Sequence, residues 1–187
     1  MMARYGYDWE AYDVTTDDHY IIKTYRILGK TGQEDSWVTP ETSKGSVLCQ
    51  HGGSQDAWIW VGRVLNDDLP FHLQLVDAGY DVWVANSRGT GVSWGHETLD
   101  PMVDKQEYWD FDGSGYGLYD HPANIKKIKE VSGEDKVFYV GYSLGTTSMF
   151  IGLSYLEKEF YAQNLHKAVL LAPCLILMND AFNWRAD

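Results

Sequence analysis

Four short, continuously hydrophobic runs occur at intervals along the chain, at residues 47–49, 82–85, 137–140 and 168–172. Apolar runs without polar alternation are typical of strands that are buried on both faces, as they are in a parallel sheet. An earlier pair of segments, residues 9–14 and 20–28, is rich in aromatic and β-branched residues and is separated by Thr16-Asp17-Asp18. This pattern predicts an antiparallel hairpin at the edge of the sheet.

Helical segments are predicted between these runs, at residues 66–78, at residues 118–131 and directly after Ser143. In the second helix, Pro122 suits the first turn, and lysines gather near the end where cations favour the helix dipole. In the third helix, one apolar face is predicted to pack on the core, and it consists of Met149, Leu153, Leu156 and Phe160. Strands that alternate with helices after an opening hairpin indicate an α/β fold.

Length and composition favour one domain. The chain has 187 residues, of which 44% are hydrophobic, and a formal net charge of −12, so we predict a single domain over residues 1–187 with a real core. The excess of acidic over basic residues repels the phosphate backbone of nucleic acids and argues against nucleic acid as a partner. The two cysteines, Cys49 and Cys174, lie in apolar runs and are predicted to be core residues rather than a disulfide or metal pair.

Neither a leader nor a membrane span is indicated. The first residues contain no apolar stretch of signal-peptide length, and no segment approaches the roughly 18 apolar residues that a transmembrane helix needs. We therefore expect a soluble chain without an export signal.

The sequence Gly141-Tyr142-Ser143-Leu144-Gly145 lies between the third hydrophobic run and the third helix. This is a Gly-X-Ser-X-Gly motif in the strand-turn-helix context of a nucleophile elbow, in which a sharp turn exposes the serine hydroxyl. Only glycine at the two flanking positions, 141 and 145, avoids collision between strand and helix. The alternative is a glycine-rich turn without chemistry, and we favour Ser143 as a nucleophile.

Acyl transfer by a serine also needs two hydrogen-bond donors for the oxyanion. His51-Gly52-Gly53 follows the first parallel strand, at the sheet edge where such a donor belongs. The backbone N–H groups of Gly53 and Leu144 are the predicted pair. In the alternative, the glycines only turn the chain; for His51 itself we favour a structural role.

With these features, the chain resembles the acid lipases of the α/β-hydrolase superfamily, which include the lysosomal and gastric lipases. The segments that resemble the family are spread over nearly the whole chain and occur in the same order as in the family. They are residues 12–21, 50–53, 77–83, 86–89, 109–111, 119–123, 139–147 and 171–173. The resemblance implies an α/β-hydrolase core with a mostly parallel sheet, Ser143 as nucleophile, and Gly53 and Leu144 as the oxyanion hole. It also implies a secreted or lysosomal protein. Two positions depart from the family, which usually has a larger apolar residue at position 53 and a histidine or similar side chain at position 142.

The catalytic acid and base that the superfamily places after later strands are not found. No histidine follows Asp180, and His166 precedes that aspartate. His51, His96 and His121 could approach the site from upstream, but structural roles are favoured for all three. The family's cap and its carboxyl-terminal strands are also missing, so the chain is interpreted as the amino-terminal part of a longer hydrolase or as a natural truncation.

The predicted function is a serine hydrolase that cleaves carboxylic esters, with neutral lipid esters as the favoured substrate and no metal or organic cofactor. The acid and base would then come from beyond residue 187, and a chain that ends there is expected to be weakly active. Two alternatives stay open. One is a non-catalytic protein that uses the hydrolase scaffold to bind lipid or a partner, and the other is a peptidase or thioesterase.

Overall fold

The computed structural model describes residues 2–61, 69–155 and 158–174. Its strands are β1 (Tyr7–Thr15), β2 (Tyr20–Lys30), β3 (Ser46–Gln50), β4 (Asp81–Ala85), β5 (Gly95–His96), β6 (Val137–Tyr142) and β7 (Leu165–Leu171). Its α-helices are α1 (Trp58–Val61), α2 (Phe71–Asp77), α3 (Lys105–Tyr108), α4 (His121–Ser132), α5 (Leu144–Tyr155) and α6 (Lys158–Asn164). A π-helical turn, Tyr116–Asp120, leads directly into α4.

The strands form one mixed sheet in the order β1-β2-β4-β3-β6-β7, and β5 pairs with β2. β1 and β2 are antiparallel, and β2 pairs antiparallel with β4, whereas β3 is parallel to both β4 and β6 and β7 is parallel to β6. The predicted parallel sheet with an antiparallel hairpin at its edge is therefore confirmed. β3 lies at the centre of the parallel part, so the loops that follow β3, β4 and β6 meet at one edge of the sheet.

Residues in the central strands alternate between two hydrophobic cores, one on each face of the sheet. On one face, Val47, Cys49, Val82 and Val84 pack with Leu73 of α2. On the other face, Leu48 and Trp83 pack with residues of α4 and α5, including Ile125 and Met149. Every residue of β3 and β4 is buried, as continuous hydrophobic runs require of strands covered on both sides.

The fourth predicted strand differs from the other three. β7 occupies the end of the strand order, and most of its residues are exposed, including Val169, which is 50% accessible. The prediction that this run is buried on both faces is wrong for the described part of the chain. A hydrophobic run identifies a strand but does not show whether a neighbour covers it.

The apolar face predicted for the helix after Ser143 is confirmed only in part. The structure describes this segment as α5 (Leu144–Tyr155) and α6 (Lys158–Asn164), and residues 156–157 between them lie outside the described residues. Met149 is buried as predicted, whereas Leu153 is 38% exposed, and Leu156 lies outside the described residues. The predicted helix at residues 66–78 is represented by α2 (Phe71–Asp77), and its beginning also lies outside the described residues.

Candidate active site

Ser143 occupies the sharp turn between β6 and α5. Its φ is +50°, a left-handed conformation that is uncommon for residues other than glycine and costs about 1–3 kcal/mol. Its backbone N–H donates to the carbonyl of Leu171 at 3.0 Å, and its own carbonyl accepts from the N–H of Thr146 at 2.8 Å. The side chain is thereby held, half-buried, at the beginning of α5.

The two glycines of the motif lie where the backbone segments approach each other most closely. A Cβ atom on Gly141 would lie 2.9 Å from the carbonyl oxygen of Gly145. A Cβ atom on Gly145 would lie 2.8 Å from the carbonyl oxygen of Gln50 and 2.9 Å from that of His51. The lack of side chains at both positions therefore lets α5 start directly against the end of β3.

The loop that follows β3 contacts the serine. A Cβ atom on Gly52 would lie 2.9 Å from Cβ of Ser143, so this loop and the turn are in direct contact. Gly53 and Leu144 line one cleft. Leu144 is the first residue of α5, and the first N–H groups of a helix have no acceptor within the helix. The structure thus brings together the three residues to which the sequence assigned chemistry.

His51 is fixed by hydrogen bonds at both ring nitrogens. Its Nδ1–H donates to the carbonyl of Gly52 at 2.7 Å, and its Nε2 accepts from the backbone N–H of Ser87 at 3.1 Å. Burial lowers the pKa of His51, so the ring stays neutral. This arrangement connects the loops after β3 and β4 and gives His51 a structural role.

The other histidines considered from the sequence also have partners away from Ser143. His96 accepts at Nδ1 from the N–H groups of Thr98 and Leu99, each at 3.1 Å. His121 contacts Ser148 and Tyr139, and the ring of His166 stacks on Phe138. Within the described ranges, no histidine forms a hydrogen bond with Ser143.

Cys174 is the residue near Ser143 that sequence reasoning missed. Its Sγ lies 3.9 Å from Ser143 Oγ, its N–H donates to Thr146 Oγ1 at 3.1 Å, and its carbonyl accepts from the hydroxyl of Thr147. The expectation of a core residue is confirmed for Cys49, whereas Cys174 is partly exposed beside the serine. A left-handed turn at Ala172, with φ +49°, precedes it, and no motif in the sequence signals this approach.

A cleft with a volume of about 890 Å³ lies next to the serine turn; Gly52, Gly53 and Leu144 line it, whereas Ser143 itself is not among its lining residues. Its walls come from the loops after β3 and β4, from residues 109–116 and from α5. Trp109, Phe111 and Tyr116 form an aromatic wall, and Leu144 and Ile151 add apolar surface from α5. The cleft is therefore mainly apolar, with the charged residues Asp56, Arg88 and Asp112 also in its lining.

A buried arginine supports one wall of this cleft. The guanidinium of Arg88 forms hydrogen bonds of 2.7–2.9 Å with Asp120 and of 2.5–2.8 Å with Asp18, and it lies 4.1 Å from the ring centre of Tyr20. Burial opposes ionisation of Asp18, but hydrogen bonds from Arg88 and Thr16 outweigh it and lower the pKa of this carboxyl. The cluster connects the hairpin, the loop after β4 and the start of α4.

The described residues include no group of three or more His, Cys, Asp or Glu side chains that could hold a metal ion. A search of the same residues finds no helix with the length and hydrophobicity needed to cross a membrane.

The sheet order, the glycine-flanked serine turn and the adjoining loop after β3 define the class of protein. A family model described as "alpha/beta hydrolase fold" matches residues 45–187, and a second, described as "Partial alpha/beta-hydrolase lipase region", matches residues 1–64. The chain belongs to the α/β-hydrolase fold family.

Its relatives include lipases from several animals. The chain is 41% identical to mouse lipase member K and 39% identical to rat gastric triacylglycerol lipase, and each match covers 92% of this chain and 41% of the relative. The resemblance to the acid lipases is thereby confirmed. The chain spans less than half the length of these relatives.

Solved structures agree on the fold. The Pyrococcus furiosus esterase Pf2001 superposes with a TM-score of 0.54 and 17% identity, over 84% of this chain and 51% of that chain.

Proposed function

We propose that Ser143 is the nucleophile of a serine hydrolase that cleaves carboxylic esters. The observation that carries this proposal is the left-handed conformation of Ser143 between β6 and α5, together with the close approach of the loop at Gly52, where an added Cβ would lie 2.9 Å from Cβ of Ser143. Strain of this kind at a serine is typical of nucleophile elbows, in which it holds the hydroxyl clear of the sheet.

In this reaction, Ser143 Oγ attacks the acyl carbon and forms a tetrahedral intermediate. The N–H groups of Gly53 and Leu144 donate hydrogen bonds to the oxyanion that develops. Leu144 is suited to this role because it begins α5, where the helix dipole favours negative charge. We place the base that accepts the hydroxyl proton, and the acid that orients it, outside the described residues, since no described histidine bonds to the serine.

We propose neutral lipid esters as the substrate class. The cleft has an aromatic wall and apolar residues of α5, including Leu144, which directly follows Ser143, and an acyl chain fits against this surface. The net charge of −12 disfavours anionic head groups. Relatives such as rat gastric triacylglycerol lipase support this substrate class.

Turnover of a short-chain chromogenic ester by purified protein, compared between wild type and Ser143→Ala, tests the proposal. We expect weak turnover, because no base contacts Ser143 among the described residues, and we expect it to be lost in Ser143→Ala, which has no hydroxyl to attack the acyl carbon. Cys174→Ser is a matched control, because it alters a side chain of similar size beside the nucleophile without removing the hydroxyl. Equal rates for wild type and Ser143→Ala would contradict the proposal.

A second candidate is a non-catalytic protein that binds lipid or a partner on the same scaffold. It is favoured by one observation: among the described residues, the sulfur of Cys174 is the only hydrogen-bond partner of the Ser143 hydroxyl, and no base bonds to it. The ester assay separates the two candidates, and a parallel panel of thioester and amide substrates tests the thioesterase and peptidase alternatives.

A further inference from the structure

A buried cluster of three polar side chains lies directly behind the serine turn. The Nε2 atom of His121, at the start of α4, is 2.8 Å from the hydroxyl of Ser148 on α5 and 3.1 Å from the hydroxyl of Tyr139 on β6. Each of the three residues is at most 1% exposed. Polar groups buried this deeply are costly unless their hydrogen bonds are satisfied.

Both hydroxyls of the cluster converge on one backbone carbonyl. The carbonyl of Gly145 accepts from the hydroxyl of Tyr139 at 2.7 Å and from that of Ser148 at 3.2 Å. Each hydroxyl has a single proton. If both protons are directed to Gly145, the hydroxyl oxygens are left as acceptors facing His121.

The protonation state of His121 follows from this arrangement. Its Nδ1 is buried and has no hydrogen-bond partner among the described residues, so a proton on Nδ1 would be an unsatisfied donor. A proton on Nε2, by contrast, is donated to the two hydroxyl oxygens. Burial lowers the pKa of His121 to about 3, so the ring is neutral at ordinary pH. The geometry therefore favours the neutral Nε2–H tautomer.

Gly145 is the point where α5 contacts the loop of the proposed oxyanion hole. Its Cα faces the carbonyls of Gln50 and His51 so closely that no side chain fits there. The carbonyl of Gly145 and the N–H of Thr146 belong to one peptide group, and this N–H donates at 2.8 Å to the carbonyl of Ser143, which shares a peptide group with the Leu144 N–H. Holding the carbonyl of Gly145 therefore limits movement of the Leu144 N–H relative to the loop at Gly53.

We propose that His121 is a positioning residue of the serine turn. As the neutral Nε2–H tautomer, it directs the hydroxyl protons of Tyr139 and Ser148 onto the carbonyl of Gly145. This holds the Leu144 N–H in place opposite Gly53. The role of His121 in catalysis rests on the proposed hydrolase function, whereas its tautomer and its effect on the turn do not.

Two substitutions isolate the donated hydrogen bond. His121→Gln retains an N–H donor near the position of Nε2, and His121→Met has a similar volume but no donor. His72→Met is a control for the loss of a buried histidine, since His72 is 0% exposed and lies on α2 on the opposite face of the sheet. All proteins are first compared by thermal unfolding, and measurements are made where each is folded.

Two readouts do not depend on activity. Long-range ¹H–¹⁵N spectra of the chain should show His121 as the Nε2–H tautomer, with no titration between pH 7.5 and 5. Amide exchange at Ser143 and Thr146 should be about tenfold faster in His121→Met, close to wild type in His121→Gln and unchanged relative to other core amides in His72→Met. An Nδ1–H tautomer, or exchange at the turn that is unchanged in His121→Met, would overturn the inference.

The third readout is steady-state ester hydrolysis. We expect His121→Met to lower kcat about tenfold with KM nearly unchanged, and His121→Gln to recover most of the loss, because a misplaced oxyanion donor affects the transition state rather than ground-state binding. If wild type turns over ester and His121→Met retains full kcat, the positioning role is wrong. If wild type shows no serine-dependent turnover, the proposed function fails, and the spectra and exchange rates still decide the role of His121 in the turn.

Discussion

At the scale of single residues, the serine turn has no space for an added methyl group. A Cβ at position 145 would lie 2.8 Å from the carbonyl oxygen of Gln50, the last residue of β3, and 2.9 Å from that of His51, so the backbone itself would have to shift. We expect Gly145→Ala to lower the free energy of unfolding by about 1–3 kcal/mol, measured by urea denaturation, and to reduce ester turnover.

Gly91 provides the matched control for this substitution. A Cβ added there would meet no atom within 4 Å, so Gly91→Ala should change stability by no more than about 0.5 kcal/mol. Equal destabilisation by the two alanine variants would show that crowding at the turn is not the cause.

The sequence predicts single residues well where the signal is local. Ser143 lies at the turn between a hydrophobic strand and a helix because the motif, the strand and the helix are adjacent in the chain. The approach of Cys174 to Ser143 depends instead on a left-handed residue at Ala172 and on hydrogen bonds to Thr146 and Thr147 of another element. Contacts of this kind arise from the assembled fold and have no short sequence pattern.

At the scale of elements, Arg88 joins three segments that are distant in the chain. Asp120 is fully buried in its pair with Arg88, whereas the side chain of Asp18 is 28% exposed. In Asp120→Asn, the buried guanidinium of Arg88 loses the negative charge of its fully buried partner. We expect this variant to be about 3 kcal/mol less stable than wild type in urea denaturation at pH 7.5.

Asp18→Asn tests the same explanation at the solvated end of the cluster. Water reaches this carboxylate, so the expected loss is only about 1 kcal/mol. If Asp18→Asn proved as destabilising as Asp120→Asn, burial would not be what distinguishes the two ion pairs.

An element was predicted correctly where its own residues determine it and less well where the neighbouring elements determine its burial. Apolar runs identified β3, β4, β6 and β7 because strands in a parallel sheet are built from such runs. The exposure of β7 and of Leu153 depends on which neighbouring elements cover each surface, and the pattern of hydrophobic residues along the chain does not contain that information.

At the scale of the whole molecule, three buried neutral histidines make stability depend on pH. Burial lowers the pKa of His72 to about 4 and that of His121 to about 3, from an ordinary value of 6.5, and it also lowers the pKa of His51. Below pH 6.5 the unfolded chain therefore binds more protons than the folded chain, so stability is retained above 6.5 and is lost as the pH falls toward these values.

Urea denaturation at pH 7.5 and 5.5 measures this loss. His72 and His121 should each contribute a loss of about 1.4 kcal/mol at pH 5.5, because one pH unit below the unfolded pKa corresponds to that energy for a group that stays neutral when folded. His72→Leu should remove the part of this loss that His72 contributes, about 1.4 kcal/mol between the two pH values. A stability that does not change between the two pH values would contradict the assignment of neutral, buried rings.

The order of strands in the sheet has a consequence for synthesis on the ribosome. The β1–β2 hairpin emerges before the other strands, but its neighbour in the sheet is β4 rather than β3. Arg88, which binds Asp18 in the hairpin turn, and Asp120, which binds Arg88, emerge later still. The nascent hairpin must therefore wait, with one edge open, until residues 81–120 have been translated. Translation speed across that stretch should consequently affect the yield of folded protein more than translation speed across the hairpin itself.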